Sequence, residues 1–71
     1  MEEIQHRRFV TSAFTVIVKG DHRPLNIRAG SEIFAVTADI ASDRNVVRIA
    51  IKEHKGYIEV PRESIIRHTR R

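Results

Sequence analysis

Apolar and polar positions alternate along several short stretches of this chain, which is the pattern of half-buried β-strands. Residues 9–18 are dense in β-branched and aromatic side chains, with a period-two apolar face that includes Phe14 and Val16. This stretch predicts one strand, or two strands broken near Ser12. Residues 33–37 repeat the same chemistry and predict a second clear strand.

Two further strands are predicted in the second half of the chain. Residues 46–51 place Val47 and Ile49 on an inward face and Arg48 on the outward face. Residues 57–60 again alternate apolar and polar side chains. Because these short strands follow one another at intervals of about ten residues, the sequence predicts an all-β fold: a small antiparallel sheet or barrel of about five short strands.

Turn-forming residues separate the predicted strands. They cluster at residues 19–24, 42–45 and 53–56, each of which contains Gly, Asp, Asn, Ser or Pro. A helix signal occurs only in the tail, residues 62–71, where Pro61 suits the first turn. A helix of this length is not stable alone, so we expect a short C-terminal helical tail that packs against the sheet.

The length of the chain limits its core. Seventy-one residues are expected to form a single domain, 1–71, with little interior. The sequence has no cysteine, so disulfides are excluded, and oligomerisation is the remaining way to stabilise so small a domain. We therefore expect a homodimer. No apolar run approaches the roughly 20 residues of a membrane-spanning helix, so we expect a cytoplasmic protein with no membrane partner.

Residues of catalytic or metal-binding type are scattered. No serine lies in a nucleophile elbow, and the glycines are isolated turn residues rather than a phosphate-binding loop. The histidines lack the paired spacing of a zinc site; they are His6, His22, His54 and His68. The sequence therefore predicts a binding protein rather than an enzyme, with no metal and no cofactor.

The charge of the chain favours an anionic partner. Thirteen Lys and Arg residues oppose nine Asp and Glu residues, for a net charge of +4. Ten of the thirteen are Arg, concentrated at the two ends of the chain. Arg forms planar, two-point contacts with phosphates and base edges, whereas Lys acts as a point charge. The composition is therefore compatible with specific recognition of a nucleic acid.

A more particular pattern lies in the second half. Residues 45–51 read Asn-Val-Val-Arg-Ile-Ala-Ile, and residues 58–65 read Ile-Glu-Val-Pro-Arg-Glu-Ser-Ile. This resembles the carbon storage regulator family, whose members have an Asn-x-Val-Arg-Ile-Gly-Val strand and then a Val-x-Val-x-Arg-Glu-Glu-Ile segment. Residues 4–8, which end in Arg-Arg, are similar to the family's first strand. The match covers most of residues 4–68 and is interrupted at 9–24 by about one additional strand and a loop.

The resemblance implies an intertwined homodimer that binds GGA-containing loops of messenger or small regulatory RNA and so regulates translation. In such dimers the first strand of one chain lies beside the last strand of its partner. The corresponding RNA-binding residues are Arg7, Arg8 and, as the strongest candidate, Arg62. Two further candidates are Arg48, an outward strand charge, and Arg67, a phosphate contact from the tail. Arg62 is expected to be exposed, and so to add little to stability.

The same chain also resembles an SH3 domain in its spacing. The corresponding residues are 13–14, 25–30 and 56–58, followed by Pro61 and Ile65, and this alignment needs no large insertion. An SH3 groove holds proline-rich peptides between aromatic side chains that include a Trp, and this chain has no Trp. The alternative is therefore a divergent SH3-like β-barrel module that binds a protein partner or DNA.

Overall fold

The computed structural model describes residues 3–18, 20 and 23–71. Within them the chain forms strands joined by tight turns and two short helices. The elements are, in order, β1 (Gln5–Val10), β2 (Phe14–Ile17), β3 (Pro24–Ile27), β4 (Glu32–Val36), α1 (Thr37–Ala41), β5 (Val46–Ile51), β6 (His54–Pro61), α2 (Arg62–His68) and β7 (Thr69–Arg70). The predicted all-β class is confirmed, as is the short C-terminal helix.

Five of the strands form one antiparallel sheet in the order β6-β5-β4-β1-β7, and β2 pairs with β3 in a separate hairpin. β1 pairs with β4 from Gln5 to Phe9, and its end pairs with β7, where Val10 lies opposite Thr69. The first and last strands therefore meet within one chain. The hairpin is inserted between the two neighbouring strands β1 and β4.

The core lies between the inner face of the large sheet and the hairpin. Period-two alternation sends one set of side chains from each strand into this space. The cluster consists almost entirely of branched aliphatic side chains: Val10, Val16, Ile27, Ile33, Val47, Ile49, Ile51, Ile58, Val60 and Ile65, with Phe14 and Ala35. The inward positions predicted for β5 are confirmed. The result is a small β-barrel, and Phe14 supplies the single aromatic ring that its core contains among the described residues.

The predicted break near Ser12 is present. β1 ends at Val10 and β2 begins at Phe14. The backbone N–H of Thr11 donates to the carbonyl of His68 at 2.7 Å, so the break is fixed against the end of α2. The predicted loop at residues 19–24 lies partly outside the described residues, as does His22.

Two predictions about helices were wrong. The tail was the only helix signal in the sequence, yet Thr37–Ala41 forms α1; this single turn depends on tertiary contacts rather than on periodicity. The tail helix ends at His68 instead of continuing to residue 71, because Thr69–Arg70 pairs with β1 as a strand. The predicted loop at 53–56 is also shorter, since β6 begins at His54.

Candidate nucleic-acid interface

The outer face of the five-stranded sheet carries the side chains that point away from the core. On β1 these are Gln5, Arg7 and Phe9, whereas Val10 on the other face of the strand points into the core. The β1–β4 register places Arg7 opposite Phe34. The β5–β6 register places Arg48 opposite Glu59, which shares its face with Tyr57 two residues earlier. We call the surface formed by Gln5, Arg7, Phe9, Phe34, Arg48, Ala50, Tyr57 and Glu59 the outer sheet face.

Three of the four aromatic residues of the chain lie on the outer sheet face. Phe34 is 40% exposed and Tyr57 is 41% exposed, whereas Phe14 in the core is 8% exposed. Full burial of a Phe side chain stabilises a fold by about 1.5–3 kcal/mol. A small domain that leaves these two side chains about 40% exposed forgoes part of that stabilisation. Exposed aromatic side chains grouped on one face indicate a binding surface.

Arginine side chains hold two of these rings in place. The Arg7 guanidinium lies 5.4 Å from the centre of the Phe9 ring, and the Arg48 guanidinium lies 5.8 Å from the centre of the Tyr57 ring. Both distances are within the range of cation–π attraction. Gln5 donates a hydrogen bond of 2.7 Å to the Tyr57 hydroxyl. These contacts orient the Phe9 and Tyr57 rings before any ligand arrives.

A shallow depression borders Phe34 at one end of this face. It has a volume of about 360 Å³ and is lined by residues 30–32 together with Phe34, Lys52 and Glu53. Ala50, with its small side chain, lies opposite Phe34 on the next strand. The depression provides space for a planar group beside Phe34.

Arg48 has the most extensive contacts of the predicted site residues. Its Nε donates to Asp39 Oδ2 at 2.8 Å and its Nη2 to Asp39 Oδ1 at 3.0 Å. Its Nη1 and Nη2 each donate to the Glu3 carboxylate at 2.7 Å. The side-chain hydrogen bonds with Asp39 and then Glu3 raise the pKa of Arg48, and the hydrogen bond from Arg48 lowers the pKa of the buried Asp39. Arg48 is thus a fixed cation between two carboxylates.

Arg7 and Arg8 point to opposite sides of the sheet, as neighbouring residues of a strand must. Arg7 belongs to the outer sheet face and lies 3.8 Å from Glu32, with both side chains largely exposed. Arg8 points to the inner side, is half-buried, and donates from Nε to Thr69 Oγ1 at 2.8 Å. Burial, with a smaller contribution from Arg71, lowers the pKa of Arg8. The two arginines do not form one site.

Arg62 is half-buried, which corrects the expectation that it is exposed. It begins α2, and its guanidinium donates to the backbone carbonyls of Ser42 and Asp39. Its backbone N–H also donates to the carbonyl of Asn45 at 2.7 Å. The carbonyls at the end of α1 are accepting groups that a helix of one turn leaves without intrahelical partners. Arg62 therefore joins α2 to the end of α1.

Arg67 lies on the exposed side of α2, away from the outer sheet face. It forms an ion pair of 3.3 Å with Glu63, and both side chains are more than 70% exposed. Of the five predicted site residues, the fold thus brings Arg7 and Arg48 to one surface. Arg8, Arg62 and Arg67 lie elsewhere.

The aromatic part of this surface was not predicted from the sequence. The available signal was alternation: Ile33 and Ala35 are inward, so Phe34 between them must face outward. Asp39 could not be identified in the same way, because its role depends on the unpredicted α1. No cluster of three or more metal-ligating side chains occurs in the part of the chain that the structure describes. In the same residues, no helix is long and apolar enough to cross a membrane.

Comparison with protein-family models, with curated proteins and with solved structures found no match to this chain.

Proposed function

We propose that this protein binds single-stranded RNA through the outer sheet face. The observation that carries the proposal is the grouping of the exposed Phe34 and Tyr57 and the half-buried Phe9 on one surface, together with Arg7 and Arg48. Unstacked bases are recognised by stacking on aromatic rings and on Arg planes, and antiparallel sheets are common platforms for this contact.

The spacing of the rings suits an extended strand of nucleic acid. Phe34 is on β4 and Tyr57 is on β6, so the two lie two strands apart, or about 10 Å. Phe9 is diagonal to Phe34 across the β1–β4 pair, at about 7–8 Å between Cα atoms. Separations of this size accommodate bases that are spread apart along a backbone, rather than the continuous stack of a duplex.

Acidic residues moderate the charge of the outer sheet face. Glu3, Glu32 and Glu59 lie on or beside it, among Arg7 and Arg48. Binding through this surface is therefore expected to depend more on stacking than on release of counterions, and its salt dependence is expected to be weaker than that of a polybasic protein.

The finer function, recognition of GGA-containing loops and regulation of translation, is proposed on the resemblance to the carbon storage regulator family. Arg48, in the Asn-x-Val-Arg segment that carries the resemblance, lies on the outer sheet face. Arg62, the residue expected to recognise RNA, instead contacts backbone carbonyls. A role for Arg62 in discrimination would thus act from outside this surface, and it stays a prediction.

A second candidate function is protein binding by an SH3-like module. The observation in its favour is the topology: β1 lies between β4 and the terminal β7, and a hairpin is inserted between β1 and β4. This is the strand order of SH3-like barrels. A groove lined by Asn45, Pro61, Arg62, Glu63 and Ile66 would be the corresponding protein-binding surface.

The experiment that tests RNA binding measures the anisotropy of labelled RNA with the full chain and with Phe34→Ala. Loss of one stacking contact is worth about 1–3 kcal/mol, so affinity is expected to fall about 5- to 150-fold. Ile17→Ala is the matched control, because Ile17 is 72% exposed on the hairpin. A GGA hairpin, a scrambled hairpin and an unstructured oligouridine separate specific from general binding.

Equal affinity of Phe34→Ala and Ile17→Ala would contradict the proposed surface. Absence of RNA binding by the unaltered chain would reject the function and favour the SH3-like alternative. Equal binding of the GGA and scrambled hairpins would retain RNA binding but reject GGA recognition.

A further inference from the structure

The contact between Glu3 and Arg48 has the geometry of a ligand in a binding site. The two carboxylate oxygens of Glu3 accept separate hydrogen bonds from Nη1 and Nη2 of Arg48, both at 2.7 Å. This two-point arrangement is how an Arg guanidinium holds a carboxylate or a phosphate. The side chains remain partly open to solvent, at 34% exposure for Arg48 and 40% for Glu3.

The two carboxylates around Arg48 differ in how firmly they are held. Asp39 belongs to α1, its side chain is 7% exposed, and it also accepts the backbone N–H of Arg48 at 2.9 Å. Glu3 precedes β1 and is held near α1 by one backbone bond, in which the N–H of Thr37 donates to the carbonyl of Ile4 at 2.9 Å. Asp39 therefore orients the guanidinium, whereas Glu3 can leave without disturbing the core.

We propose that the Nη1 and Nη2 edge of Arg48 is a phosphate site that Glu3 occupies in the free protein. This inference rests on the proposed function in one respect, which is that the phosphate belongs to a bound nucleic acid. Glu3 is a displaceable internal ligand: binding exchanges its carboxylate for a phosphate group, with the same two N–H donors.

The hydrogen-bonding geometry and the position of Arg48 favour a phosphate at this edge. Asp39 balances the charge of Arg48, and the structure nevertheless holds a second anion, Glu3, on the free edge of the guanidinium. The Arg48 guanidinium also lies over the Tyr57 ring. A phosphate on Arg48 would thus be adjacent to a ring on which a base can stack.

The inference is tested first without nucleic acid. Inorganic phosphate is titrated into the isotope-labelled full chain while the Arg48 side-chain N–H resonances are followed by NMR. Glu3→Gln removes the charge of the internal ligand. Glu59→Gln is the matched control. Glu59 lies opposite Arg48 on the neighbouring strand, and its substitution changes the net charge by the same amount. We expect phosphate to shift the Arg48 resonances of Glu3→Gln at a concentration several-fold lower than those of Glu59→Gln.

The same variants are then compared for RNA affinity. An exposed ion pair such as Glu3–Arg48 lowers the affinity of a ligand that must displace it by up to about fivefold. Because Glu3→Gln removes this competitor, the variant is expected to bind RNA about three- to fivefold more tightly than Glu59→Gln. Identical phosphate titrations for the two variants would overturn the phosphate site. A positive phosphate titration without RNA binding would retain the site and reject the proposed function.

Discussion

The carboxylate of Asp39 accepts hydrogen bonds from both the backbone N–H and the guanidinium Nε of Arg48, at 2.9 and 2.8 Å. One side chain thereby joins the single turn of α1 to the middle of β5. Asp39 is 5% exposed, and a buried charge is tolerated only when it is paired in this way. This pair both stabilises the connection between β4 and β5 and orients the cation of the outer sheet face.

Asp39→Asn is expected to destabilise the fold by about 1–3 kcal/mol at neutral pH, because it removes the charge from buried hydrogen bonds. Its effect also depends on pH. The folded pKa of Asp39 is lowered below its ordinary value of 3.8, so its stabilisation is present above about pH 4 and is lost as the pH falls through the folded pKa. Urea unfolding at pH 7 and in acid measures both effects.

The control for this prediction is Asp43→Asn, since Asp43 is exposed in the turn after α1. The difference in unfolding free energy between the unaltered chain and Asp39→Asn should shrink in acid, and that for Asp43→Asn should stay near zero. An equal, pH-independent effect of both substitutions would contradict the assignment.

Arg62→Ala is expected to lower stability by about 1–2 kcal/mol, because it leaves the Asp39 and Ser42 carbonyls without a charged donor. Arg67→Ala removes an exposed ion pair and is expected to change stability by less than about 0.5 kcal/mol. Chemical denaturation of the two variants measures the difference. If Arg62→Ala is as stable as Arg67→Ala yet loses affinity for GGA hairpins, its function is recognition rather than structure.

Substitutions of Phe14 and Phe34 are expected to affect stability and RNA affinity differently. Phe14 packs in the core, and its ring stacks on His68 with centroids 5.1 Å apart, so Phe14→Ala should cost about 3–5 kcal/mol. Phe34 is outward, so Phe34→Ala should cost less than about 1.5 kcal/mol while weakening RNA binding. Thermal unfolding and RNA anisotropy are measured on both variants. A larger stability loss for Phe34→Ala would show that its ring is structural.

The chain is expected to form a homodimer, because its core is small and contains no disulfide. Exchange of the β1–β7 pairing between two chains would reproduce the arrangement of the carbon storage regulator family. Sedimentation equilibrium of the untagged chain at micromolar concentration measures the mass. A single-chain mass would reject the dimer and retain the β1–β7 pairing within one chain.

The positions of β2, β4 and β5 were predictable from this sequence because they follow from local chemistry. β5 has the predicted bounds, and the inward and outward sides of Val47 and Arg48 follow from the period of two. The break between β1 and β2 was also indicated, near Ser12. Each of these features depends on neighbouring residues whose side chains must alternate between core and solvent.

Contacts between distant residues were decided by the tertiary structure alone. Glu3 and Arg48 are 45 positions apart, and Arg62 reaches Ser42 across 20 positions. The sequence by itself determined that the chain is rich in Arg and that its strands have an outward face. The pairing of β1 with β4 and the position of α1 decided which arginines share that face and which contact backbone carbonyls. The sequence could not show this, because only folding brings these groups within hydrogen-bonding distance.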